Sequence, residues 1–208
     1  VSWAEVGAGD LLTLVASVMY VVCTLRGTAR PEVVSWGAWA ALLAEVTFAS
    51  FVTGQYPSAL YTGICAAACG TVTVLSLRRG DWTVTWLDVL SLTAVTAGLV
   101  LLMVVRSPAA TVIVAAAADL AAYLPTIRHA WDEPREEPWF VYLLFGAGAT
   151  LTLAAAEITV TGVLYPLYLA VADFFVAVII VGQRRAERAG TARLLGFPDS
   201  RSWRYRLD

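Results

Sequence analysis

Seven apolar blocks of about twenty residues constrain this chain more than any other feature of its sequence. They run at roughly 10–25, 36–54, 58–77, 86–105, 109–128, 139–161 and 164–183. A helix rises about 1.5 Å per residue, so a block of about twenty residues crosses a hydrocarbon core of about 30 Å. Charged residues make up 14% of the 208, against about a quarter in a soluble domain. A soluble globular reading is excluded, and the expected class is an all-α integral membrane protein with seven transmembrane helices. "GQYPS" between the second and third blocks and "TGVLYP" between the sixth and seventh suit tight turns between antiparallel helices.

The basic residues orient these spans. With the amino terminus outside, Arg26, Arg30, Arg78, Arg79, Arg128, Arg135 and every arginine from Arg184 onward face the cytoplasm, and only Arg106 faces out. The opposite orientation inverts the positive-inside rule. The expected location is therefore the cytoplasmic membrane, with the amino terminus outside and the carboxyl terminus inside. Lysine does not occur, and Ala, Val, Gly and Arg are abundant, the composition of a GC-rich bacterial genome. Residues 1–9 lack the basic start of a signal peptide, so the first span is expected to be retained.

An odd number of spans points to a duplicated unit joined by a linker helix. An offset of 103 residues sets Tyr20 on Tyr123, Pro31 on Pro134, Trp36 on Trp139 and Trp39 on Tyr142. "QYP" (55–57) answers "LYP" (164–166), and "SLRRG" (76–80) answers "GQRRA" (182–186). The expected architecture is 3+1+3, two parallel three-helix repeats. Residues 1–79 form the first repeat, 80–108 the linker helix, 109–185 the second repeat and 186–208 a basic cytoplasmic tail. Two units of three spans share one orientation only if an extra crossing separates them, which gives the linker a physical reason.

The segment "YLPTIRHAW" (123–131), followed by "DEPREEPW" (132–139), carries a family resemblance. Together with the 3+1+3 count it resembles the PQ-loop and SWEET-type transporters, as a divergent bacterial relative. In that family Pro-Gln stands near the inner end of the first helix of each repeat. Here the second repeat has Pro125-Thr126 and the first has Val22-Cys23. The resemblance implies alternating access to a small solute and a hinge at Pro125 and Thr126. Proline removes one backbone hydrogen bond and presses on the carbonyl of Ala121, and Thr126 is placed to bond back to a freed carbonyl.

Glu45, Asp119 and Asp173 fall near the middle of spans two, five and seven, whereas Asp10 and Asp88 lie near span ends and Glu157 toward the outer end of span six. Each midplane charge costs about 2.5–3.5 kcal/mol even on the lenient insertion scale. Such carboxyls either face a water-filled cavity or stay protonated and bonded internally. Asp119, Asp173 and Glu45, with Tyr123 beside them, are therefore the candidate substrate- or proton-binding residues. The rival reading makes them interhelical hydrogen-bond glue. His129 is expected in a solvated inner loop with the acidic residues after it, and Trp131 and Trp139 at the membrane interface.

Enzyme readings are poor. Asp119 and Asp173 sit in "ADL" and "ADF" rather than in the contexts of an intramembrane aspartyl protease. There is no GxSG motif, no phosphate loop and no lysine for a Schiff base. Cys65 and Cys69 share a helical face, but packing explains small apolar residues there. No metal or cofactor is expected, and no nucleic acid. The expected partners are a small-molecule solute and the lipid bilayer, with a homo-oligomer left open. The expected function is a transporter of a small polar solute, with proton coupling through the midplane carboxyls as one option. The alternative is a non-transporting membrane receptor or assembly subunit.

Overall fold

A computed structural model of the chain describes residues 7–52, 56–79, 84–105, 107–156 and 158–189. Seven α-helices occur among them: α1 (Ala8–Leu25), α2 (Val33–Val52), α3 (Tyr56–Arg79), α4 (Trp86–Val104), α5 (Pro108–Asp132), α6 (Trp139–Ala155) and α7 (Val160–Arg188). No strand occurs among the described residues. Three of the helices are long and apolar enough to cross a membrane, at Ala8–Leu25, Trp86–Val104 and Gly162–Arg188. The apolar stretches Val33–Phe48 and Trp139–Ala154 are shorter. Glu157, Arg106 and the tail beyond Ala189 lie outside the described residues.

Local chemistry sets the helix ends. Gly27, at φ 74°, takes the left-handed turn that closes α1, and the amides of Thr28 and Ala29 bond back to the Cys23 carbonyl. Thr85 and Asp88 cap the start of α4 reciprocally, with the Thr85 amide donating to Asp88 Oδ2 at 2.6 Å. Asp88 is buried in this role and does not reach water as its place near a span end had implied. Helix α5 runs one turn beyond its expected end, so His129 stands on the helix and not in a loop. It stops at Glu133, which leaves the helical region at φ −129° and ψ 60° just before Pro134. A short 3-10 turn, Pro134–Glu136, then leads into α6.

Side-chain contacts fix the relative directions. Asp119 with Tyr168 and Tyr123 with Asp173 ascend together, so α5 and α7 run parallel. Gly9 meets Thr152 while Tyr20 meets Glu137, so α1 and α6 run antiparallel. Helix α3 packs against α1 and α2, and α7 packs against α5 and α6. Two seams join these groups, α1 with α6 and α2 with α5, while α4 lies against α5 and α2. The main core draws on every helix except α4 and includes Tyr20, Trp36, Val72, Tyr142 and Ile180. A second cluster, around Leu42, Val95 and Ala122, seats α4.

The α1–α6 seam closes on glycine. A Cβ at Gly148 would stand 2.6 Å from Thr13 Oγ1 and 2.9 Å from the Gly9 carbonyl, so the two backbones meet where a side chain would have been. Gly70, on α3, has nothing within 4 Å of such a Cβ. Gly148→Ala is expected to lower stability by about 1–3 kcal/mol through overpacking. Gly70→Ala leaves it unchanged or slightly raised, because alanine favours the helix. Thermal unfolding of the two variants in detergent checks the contrast, and equal melting temperatures contradict the close seam.

Candidate functional site

Midway along α5 and α7, two carboxyl–tyrosine pairs stand side by side. The Tyr123 hydroxyl donates to Asp173 Oδ1 at 2.6 Å, and the Tyr168 hydroxyl donates to Asp119 Oδ2 at 3.0 Å. The pairs are reciprocal, since each helix supplies one acid and one phenol. Asp119 is 5% exposed and Asp173 4%. The rings of Tyr123 and Tyr168 meet edge to face at 6.3 Å, and Trp39 of α2 packs on Tyr123 at 4.7 Å. No basic side chain forms an ion pair with either acid among the described residues. A carboxyl has acceptor capacity beyond one phenol, and the Trp39 indole is a second neighbour of Asp119. The quartet therefore has room to gain or lose a proton, or to accept a further donor.

Asp119, Asp173 and Tyr123 are thus brought together. Glu45 is not: it is half-buried on α2, and its Oε2 is buried with no hydrogen bond among the described residues. Tyr168 belongs to the site as well, although Tyr123 is the only tyrosine singled out for it from the sequence. Its signal was available, because Asp173 follows it by five residues on α7, as Tyr123 follows Asp119 by four on α5.

Pro125 lies inside a continuous helix. Ala121, whose carbonyl the missing amide would have bonded, is served by another helix: Ser91 of α4 donates its hydroxyl to that oxygen at 2.6 Å. Thr126 does not bond back as expected. It is fully buried, and its hydroxyl has no partner among the described residues. A partner across the helix interface therefore satisfies the proline defect where the local threonine does not.

A second polar cluster lies at one end of the bundle, and the sequence reading had placed its charges in water. Glu137 is fully buried between Pro134 and Pro138, and Tyr20 and Tyr142 both donate to its Oε2, at 2.7 and 2.9 Å. His129 Nε2 stands 3.9 Å from Glu137 Oε1 and 3.7 Å from Glu136 Oε2. Arg184 of α7 donates to the carbonyls of Pro134 and Glu137, each at 2.8 Å. Arg79 of α3 does the same for the α1–α2 loop, reaching Ala29 at 2.7 Å and also Thr24. The Arg30 amide bonds the Glu136 carbonyl at 2.9 Å, and the side chains of these two residues pair at 3.3 Å. Trp131 and Trp139, expected at the membrane interface, are partly buried against the main core.

A comparison of the chain with protein-family models, with curated proteins and with solved structures finds no match. The candidate site thus rests on its own geometry.

Two measurements probe this geometry. Ser91→Ala leaves the Ala121 carbonyl without its donor, at a cost of about 1–3 kcal/mol. In a Pro125→Ala background the restored amide bonds that carbonyl, so the same Ser91 change costs less. Melting temperatures of the four proteins form the cycle, and strict additivity contradicts the assignment. The other measurement concerns Glu137. Burial pushes its carboxyl up to about 8, overcoming the two phenol bonds that act the other way. Glu32, before α2, is raised to about 7, again by burial. A raised folded value means that the stabilising contribution is complete below the ordinary 4.5 and is lost as pH rises through the folded value. Glu137→Gln keeps an acceptor for both tyrosines and removes the titration. The native melting temperature should fall between about pH 4.5 and 8 more steeply than that of the variant, and equal slopes contradict a titrating Glu137.

Proposed function

We propose that the chain is a seven-span membrane carrier of the PQ-loop and SWEET type, moving a small polar solute by alternating access with proton exchange at the Asp119–Tyr168 and Asp173–Tyr123 pairs. The observation that carries this reading is the pairing itself: two buried carboxyls on adjacent helices, each accepting from a phenol and neither ion-paired to a basic side chain among the described residues. Carboxyls at such a depth are costly in apolar surroundings, and their common use there is along ion or solute pathways.

Packing supports a 3+1+3 organisation. Exchanging α1, α2 and α3 for α5, α6 and α7 turns each seam into the other and returns the same neighbours within each group. The ring contacts follow the 103-residue offset: Trp39 packs on Tyr123 at 4.7 Å, and Tyr142 packs on Tyr20 at 6.2 Å. The carboxyls break this likeness. At the same offset Asp119 answers to Ala16, which is fully buried. One repeat then carries the proton-exchanging groups, and the other supplies an aromatic and apolar wall. On this reading the arginine-rich end faces the cytoplasm, as the positive-inside rule requires.

A receptor or assembly subunit is the second reading, favoured by the bonds that tie both groups together at the arginine-rich end. For a carrier these bonds restrain opening at that end, whereas a receptor keeps them throughout. The deciding experiment measures uptake of radiolabelled neutral sugars and amino acids into proteoliposomes, with and without an imposed pH gradient. Uptake driven by the gradient is expected, and Asp119→Asn and Asp173→Asn are each expected to abolish its pH-dependent part. Uptake whose pH dependence survives both substitutions contradicts proton exchange at the pairs.

A further inference from the structure

We propose that a recess between the α5–α6 loop and the last turns of α7 binds a phosphate group, carried by an anionic phospholipid headgroup or by free phosphate. The recess measures about 350 Å³ and is lined by Arg135, Arg184 and Arg188. Three guanidiniums around one hollow are not explained by the fold alone. Arg184 spends Nε and Nη2 on the carbonyls of Pro134, Arg135 and Glu137. Its Nη1 makes no hydrogen bond among the described residues. Arg135 is steadied by Glu187 at 2.8 Å, and Arg188 has neither a hydrogen bond nor an ion pair among the described residues.

The site is therefore preorganised on one side and open on the other. Arg184 is fixed by backbone, Arg135 by a carboxylate, and Arg188 brings an unengaged donor fork. Planar guanidinium forks match the oxygens of phosphate in geometry as well as charge. Arginine in the last turn of a helix also offsets the helix dipole. That accounts for Arg188 but not for Arg135, which comes from the loop before α6.

Depth supports the same ligand. Helix α7 has 29 residues, about 44 Å at 1.5 Å each, and exceeds a hydrocarbon core of about 30 Å. Its arginine-bearing turns then stand at headgroup level, where anionic lipids draw basic segments.

The test uses the full chain with two variants, Arg188→Gln alone and Arg188→Gln with Arg135→Gln. The single change breaks no bond among the described residues, so it remains informative if the double variant fails to fold. Arg78→Gln, at the end of α3, is the control. Native mass spectrometry reads retention of phosphatidylglycerol against phosphatidylcholine, and thermal unfolding reads stabilisation by inorganic phosphate. Phosphatidylglycerol retained by the native chain and the control, but lost from the recess variants, supports the site with a lipid source. Retention alike in all, with inorganic phosphate stabilising the native chain and the control but not the recess variants, supports it with a soluble source. If neither probe separates native from recess variants, or if Arg78→Gln loses as much, the proposal is overturned.

Discussion

A polar group carried into apolar surroundings must find its partner within the protein, because no water is there to serve it. That constraint organises this bundle. The hydroxyl of Ser91 meets a carbonyl that proline leaves without an amide, and two phenols meet two aspartyl carboxyls. In each case the partner comes from a different helix. Apolar side chains alone tolerate sliding and rotation, but a hydrogen bond between named atoms fixes the register of two helices. The Asp–Tyr pairs do this for α5 and α7, and Ser91 does it for α4 and α5.

The same requirement governs the ends. Each of α3 and α7 finishes with an arginine that reaches the backbone carbonyls of a neighbouring loop. These loops contain prolines and tight turns, whose carbonyls have no helical partner. A guanidinium satisfies several of them at once, which a lysine ammonium, with its single point of charge, does less well. The all-arginine basic content of the sequence has a structural use here.

Much of this arrangement was legible in the sequence. Apolar length located the seven helices, because helix formation and burial in this chain both follow from continuous hydrophobicity. Asp119 and Asp173 were legible for the opposite reason, as charges where none is cheap. Glu137 was missed because it sits in a run of four acids and two prolines, and composition gives every member of that run the same solvated reading. Which one turns inward depends on the 3-10 turn between the prolines, and on two tyrosines of which one is 117 residues away. Ser91 was missed for a related reason, since a hydroxyl in an apolar helix usually bonds its own preceding turn. Thr126 shows the converse: proximity in sequence to the Pro125 defect did not make it the donor.

The close glycine approach between α1 and α6 bears on how such a bundle can deform. That seam is pinned near one end by backbone against backbone at Gly9 and Gly148, and near the other by Tyr20 and Tyr142 on one carboxyl. The opposite seam, α2 against α5, is lined by indole and phenol rings, whose edge-to-face packing has a shallow optimum. Two fixed points on one side and a slippery surface on the other make the molecule mechanically lopsided. A deformation that keeps the backbone contacts intact turns about α1 and α6 and slides α2 over α5.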